Sequence, residues 1–146
     1  MTRTHSILAA LTLAAALTGC RETIAPQPVP DLFPPVMAGV WQRTAARETP
    51  VSEAPDPVPR NSVQRLLTAS YAGPGRLEAR AYELSTPAVG LTLAQRWRPS
   101  ADTVYFNRGR YFVVVKWQEA DRGALQAFLR ALEERIQPSD AGSSPQ

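Results

Sequence analysis

The chain has 146 residues and a formal charge of +3, is 44% hydrophobic and 20% charged, and contains one cysteine and one histidine. That balance suits a single globular domain and argues against a disordered or membrane-spanning chain. Because His5 and Cys20 both fall within the first twenty positions, the rest of the sequence cannot supply a Ser-His-Asp or Cys-His arrangement, a His-based zinc site or a CxxC redox pair.

The first element in chain order is a processing segment rather than a structural helix. Arg3 provides a positive start, residues 7–17 form an apolar run, and small residues lead up to a cysteine. The run is far shorter than the roughly 20 residues that a membrane-crossing helix needs. Leu17-Thr18-Gly19-Cys20 resembles the lipobox of bacterial lipoproteins. The resemblance implies a signal peptide over residues 1–19, cleavage before Cys20, and diacylglycerol and acyl (palmitate-type) modification of Cys20. Several acyl chains hold a protein at a bilayer where one would slip, since each buried methylene contributes about 0.8 kcal/mol. Arg21, standing where an aspartate would signal inner-membrane retention in Gram-negative lipoproteins, implies an outer-membrane location facing the periplasm. Cleavage would also discard His5 and leave the mature chain without histidine.

Prolines then dominate. Nine of the fourteen lie between positions 26 and 59, a density incompatible with continuous helix or central strand. Residues 20–35 are expected to form a lipidated start and an extended tether, reaching about 45 Å at roughly 3.1 Å per residue. A globular domain is expected over residues 36–137. The apolar group Leu32, Phe33, Val36, Met37, Val40 and Trp41 should dock on it, with a short strand near residues 39–44, and residues 48–59 are expected to form a mobile loop.

Beyond Asn61 the pattern is regular. Ser70-Tyr71 leads into Gly73-Pro74-Gly75, after which Leu77, Ala79 and Ala81 alternate with Glu78, Arg80 and Tyr82, predicting a hairpin with one buried face. Ser85-Thr86-Pro87 offers a helix start, Val89, Leu93 and Trp97 recur at four-residue spacing, and Pro99 marks the stop. A second hairpin is expected from residues 103–106 and 110–117 around Asn107-Arg108-Gly109; its second strand is apolar on both faces except at Lys116 and should be central. Asp121 precedes the stripe Leu125, Phe128, Leu129, Leu132 and Ile136, a helix ending before Pro138. Residues 138–146 are small and polar and are expected to form a disordered tail.

At an offset of 34 residues, Tyr71, Gly75, Arg76, Leu77, Ala79 and Ala81 fall on Tyr105, Gly109, Arg110, Tyr111, Val113 and Val115. This reads either as internal duplication or as the shared grammar of two ββα units. The expected class is α+β: an antiparallel sheet of four or more strands built from two ββα units, with both helices on one face. Across Ala81, Leu84, Pro87, Ala88, Ala94, Val104, Phe106, Gly109, Tyr111 and Val113 the chain also resembles a group of uncharacterised bacterial secreted proteins, a likeness that implies no activity, cofactor or catalytic residue.

Glu78 and Glu83 stand at odd spacing on one strand and so face opposite sides, which argues against a carboxylate-pair hydrolase. Lys116, the only lysine, suits a snorkelling residue on an uncovered sheet face better than a desolvated nucleophile. The most chemical feature is arginine interleaved with aromatics. Arg96, Arg98, Arg108, Arg110 and Tyr111, with Lys116 and Trp117, are candidates for binding an anionic envelope polymer or an envelope protein, since guanidinium forks match carboxylate and phosphate. An open sheet face or edge near residues 111–117 could accept a partner strand.

The expected function is that of a non-enzymatic binding or assembly module, held to the membrane through Cys20, without cofactor or metal and without a nucleic-acid partner. The alternative is a small-ligand carrier or enzyme with a pocket between helices and sheet, lined by Trp97, Tyr105, Phe112 and Phe128.

Overall fold

A computed structural model of the chain describes residues 28–136. The proposed signal peptide, Leu17, Thr18, Gly19, Cys20 and the tail beyond residue 136 lie outside the described residues. The elements in order are α1 (Val29–Leu32), β1 (Val36–Met37), β2 (Trp41–Thr49), β3 (Val63–Gly73), β4 (Gly75–Leu84), α2 (Pro87–Arg96), β5 (Thr103–Arg108), β6 (Tyr111–Gln118) and α3 (Arg122–Arg135), with single 3-10 turns at Val51–Glu53 and Arg60–Ser62. The strands form one antiparallel sheet in the order β1-β2-β3-β4-β6-β5, so the class is α+β. Among the described residues no helix is long and apolar enough to cross a membrane.

Strand alternation sorts the side chains into two cores. Leu67, Ala69, Tyr71, Leu77, Ala79, Ala81, Val113 and Val115 project to one face, where they meet Leu125, Phe128 and Leu132 of α3 together with Leu32, Phe33, Met37 and Trp41. Phe128 packs edge-on against Trp41 and Tyr71, with ring centres 6.1 and 5.0 Å apart. α3 starts where the sequence places it, because the Asp121 carboxylate accepts the Ala124 N–H at 2.8 Å and satisfies an orphan donor of the first turn. The opposite face carries Leu66, Tyr82, Leu84, Phe112 and Val114, packed with Ala54, Val58 and Trp97 and flanked by Val89, Leu93 and Ala94 of α2.

The two helices therefore cover opposite faces, which corrects the expectation that both share one. The apolar stripe of α2 decides which side of the helix turns inward, whereas the connections through Ser85-Thr86 and residues 97–102 decide which sheet face it meets. A strand with a single buried face is corrected as well. β4 is buried on both sides in its second half, and β6 is apolar on both because both faces are covered there.

The 34-residue offset holds from β4 to β6, where Leu77, Ala79 and Ala81 share a face with Tyr111, Val113 and Val115, but fails at the strands before them: Tyr71 lies in the α3 core, while Tyr105 packs with Trp97 and Phe112 on the other face. The cause is turn length. Gly73 pairs directly with Gly75 around Pro74, whereas Arg108 pairs with Tyr111 across Gly109-Arg110, so the second turn lies later than expected.

Two segments expected to be loose are packed. Val29–Leu32 is helical, Leu32 and Phe33 are fully buried, and the Arg43 guanidinium donates to the Phe33 carbonyl, so residues 29–35 belong to the fold rather than to a tether. Of the apolar group expected to dock, Leu32, Phe33, Met37 and Trp41 are buried while Val36 and Val40 are exposed. In residues 48–59, expected as a mobile loop, β2 runs to Thr49, and Ala54 and Val58 are buried against the α2 face.

Candidate binding surface

The proline-rich connection from β2 to β3 covers only part of its sheet face, and its anchor is ionic. Asp56 takes the Arg80 fork on both oxygens, Nε to Oδ2 at 2.7 Å and Nη2 to Oδ1 at 3.0 Å, and also accepts the Tyr82 hydroxyl at 2.6 Å. Arg80 Nη1 donates to Glu78 Oε1 at 2.6 Å. Burial alone would weaken the Arg80 charge, but hydrogen bonds and attraction from Asp56 and Glu78 outweigh it and raise its pKa. The Tyr82 phenol is pushed well above its ordinary value by burial and by donation to Asp56. Arg80 is only 7% exposed, and a bidentate pair of this kind fixes position as well as charge.

This latch divides the face. On the α2 side Trp97, Tyr105 and Phe112 pack with ring centres 4.9–5.8 Å apart. They form a closed aromatic core rather than pocket walls, and Phe128 lies on the opposite face, so the pocket drawn from those four residues does not exist as such.

On the other side the sheet stays open. Cross-strand register places Ala45, Ser70, Glu78, Lys116 and Thr103 in one row, and Gln42, Ala72, Arg76 and Gln118 in another row further along the strands. Short side chains from β2 and β3 floor a trough made of two hollows of about 320 Å³ each, which share Ser70 and Glu78. Arg47 and Glu53 line one hollow, Arg76 and Lys116 the other. Lys116 is exposed and 3.6 Å from Asp102. Hydrogen bonds from Ser100 and Thr103 hold the Asp102 carboxyl below its usual range, the Ser100 bond weighing most. Arg47 and Arg76 are exposed and make no ion pair among the described residues.

The arginine and aromatic candidates read from the sequence do not converge. Arg96 and Arg98 are exposed at the end of α2, and Arg98 donates to the Trp97 carbonyl. Arg108 lies on the α3 face, 3.6 Å from Glu133. Arg110 is structural: it donates to the Leu84 carbonyl at 3.0 Å and to Gln64, and stands 3.9 Å from Glu83. Glu83, 6% exposed, is also 3.6 Å from Arg65, so two guanidinia balance a buried carboxylate. Tyr111 is buried in the α3 core, and Trp117 points to the same face, opposite Lys116. β6 is flanked by β4 and β5 and so offers no edge; among the described residues a strand partner would have to use β5, the two-residue β1 or the part of β2 beyond β1.

Of the sequence candidates, Lys116 alone lines the open trough. Arg47 and Arg76 were not singled out, although the alternation of Leu77, Ala79 and Ala81 already sends Arg76 and Glu78 to the opposite face. Among the described residues no group of three or more His, Cys, Asp or Glu is placed to hold a metal ion. No family model, no curated protein and no solved structure matches the chain.

Proposed function

We propose that the chain is a lipid-anchored protein of the bacterial cell envelope, acting without catalysis as a binding or assembly module whose partner surface is the open half of the sheet. The observation that carries the binding surface is the exposure of Arg47, Arg76 and Lys116 around a trough of small side chains, on a face whose other half is sealed by α2 and the Asp56 latch. Guanidinia that pair with no carboxylate among the described residues favour a partner that presents carboxylates or phosphates, such as an acidic envelope protein or an anionic envelope polymer. Nucleic acid is disfavoured by the proposed compartment.

The anchor rests on the lipobox-like Leu17-Thr18-Gly19-Cys20. The early start of the fold sharpens it. Only residues 21–28 separate Cys20 from α1, and eight residues span at most about 28 Å, so the domain would ride at the bilayer rather than reach far from it. Two hairpin-plus-helix units, residues 63–96 and 103–135, remain part of this reading; the shared face pattern of β4 and β6 supports them, although the helices that follow lie on opposite faces.

Mass spectrometry of the mature protein tests the anchor: an acylated Cys20 at the new amino terminus is expected, and a free thiol or cleavage elsewhere refutes it. Arg47→Glu with Arg76→Glu tests the surface by loss of co-purification with envelope fractions from a variant lacking the acylation site; undiminished retention removes the surface from the proposal.

A further inference from the structure

α2 is an unusual surface helix. Its sequence, PAVGLTLAQR, carries one charge, and of its ten residues only Gly90 is buried, while Leu91 remains 59% exposed. Gly90 is buried because α2 lies directly on β5; a Cβ there would stand 2.1 Å from Asn107 Oδ1. Beside the helix, Ala88, Val89, Thr92 and Leu93 face Pro57, Val58 and Pro59 across a groove of about 670 Å³, with Arg96 at its end. The volume falls within the range of about 300–1,000 Å³ usual for small-molecule sites, and apolar walls with few polar groups are the usual lining.

We propose that this groove binds the carboxylate-proximal part of the hydrocarbon chain of a long-chain fatty acid, with its carboxylate paired to Arg96. The walls select the ligand class. Of the loop residues lining the groove, Pro57 and Pro59 have no N–H, and the N–H groups of Val58 and Ser62 are bonded to the Asp56 and Pro59 carbonyls at 2.8 and 2.9 Å. On the helix wall Thr92, Leu93 and Arg96 use their N–H groups in the i→i−4 ladder, while the first-turn N–H groups of Ala88 and Val89 point along the axis out of the helix start rather than across the groove. A peptide laid in the groove would leave its carbonyls without donors on the loop side, a costly arrangement in an apolar site. A methylene chain has no such groups to satisfy. From Ala88 to Arg96 the groove follows α2 for about 12 Å, and Arg96, which makes no ion pair among the described residues, supplies the charge that a carboxylate head requires. The groove lies over the sealed half of the face, apart from the open trough, so the two proposals stand or fall separately.

The test is displacement of a fluorescent undecanoic acid from the purified full-length protein by palmitate and, separately, by hexadecanol. Palmitate should displace the probe. Arg96→Glu should weaken palmitate by about tenfold or more while leaving hexadecanol unchanged, and Thr92→Trp, which fills the groove from an exposed helix position, should abolish both. The inference is overturned if palmitate fails to displace the probe, if Arg96→Glu leaves palmitate affinity intact, if phosphatidylglycerol vesicles compete where palmitate does not, or if sedimentation shows a dimer that Leu91→Arg dissolves, which would give the groove to a second copy of the chain.

Discussion

The two faces of the sheet are stabilised in different ways. Under α3 the cover is a 14-residue amphipathic helix whose Leu125, Phe128 and Leu132 meet a continuous row of apolar strand residues, with Trp41 Nε1 tied to the Ala124 carbonyl at 3.0 Å. Opposite, the cover is a short helix and a proline-rich connection held down by one ion pair, and it stops halfway across. Burial without direction closes a face completely, whereas a single directional latch fixes an edge and leaves the rest of the sheet open. Arg47, Arg76 and Lys116 stand exposed on that open part.

Truncating the α3 face should cost most. Phe128→Ala removes a fully buried ring touching Trp41 and Tyr71, and a loss of about 3–5 kcal/mol is expected in urea denaturation. A loss below about 1 kcal/mol would mean that this core is not the main support. Breaking the latch should come next. Asp56→Ala leaves Arg80 and the Tyr82 hydroxyl without their main partner in a largely buried setting, a cost of about 2–4 kcal/mol. It should also open residues 50–62 to limited proteolysis, with Arg60 as a tryptic site. Arg80→Met with Asp56→Leu should recover part of that stability, since an apolar pair of similar bulk removes the unpaired charge.

Alkaline pH loads both faces, through Tyr71 under α3 and Tyr82 in the latch. Tyr71, buried and donating to the Pro34 carbonyl at 2.8 Å, has its pKa pushed up to about 12 by burial, against the opposing charges of Arg43 and Arg135. Because the folded value lies above the unfolded one, the contribution is fully present below pH 10 and lost as pH rises towards 12, amounting to about 2–3 kcal/mol. Tyr71→Phe should therefore cost about 1 kcal/mol at pH 7 through the lost hydrogen bond, yet make the stability curve shallower between pH 10 and 12, where the raised Tyr82 phenol of the other face keeps a slope of its own. A variant whose alkaline limb is as steep as that of the parent would contradict this assignment. Smallest of all, Arg47→Ala, Arg76→Ala and Lys116→Ala should each change stability by less than about 0.5 kcal/mol, as expected for exposed side chains without buried partners.

The α3 face was legible in the sequence because its signals are local. Asp121 caps, the stripe from Leu125 to Ile136 repeats at helical spacing, and the two-sided apolar run of β6 marks an interior strand. The latched face was not legible. Asp56 and Arg80 are 24 residues apart and belong to no periodic pattern, and the prolines around Asp56 read as a loose loop until a partner for the carboxylate is known. β2 was seen only at its start, since Ala45, Arg47 and Glu48 are polar or small for a strand, as suits a position near the sheet edge with one open face. Arginine beside tyrosine suggested a binding patch at Arg110-Tyr111, but there the arginine completes a structural network and the tyrosine enters the core. Lys116 was placed on an uncovered face by the single polar break in an apolar strand.

Photocross-linking in living cells from a reactive residue at position 76, compared with position 130 on the outer side of α3, tests the central claim most directly. The open-trough account predicts a discrete adduct with one envelope component from position 76, none from position 130, and loss of the adduct when Arg47→Glu is added. Adducts of equal yield from both positions, or an adduct indifferent to Arg47→Glu, would contradict it.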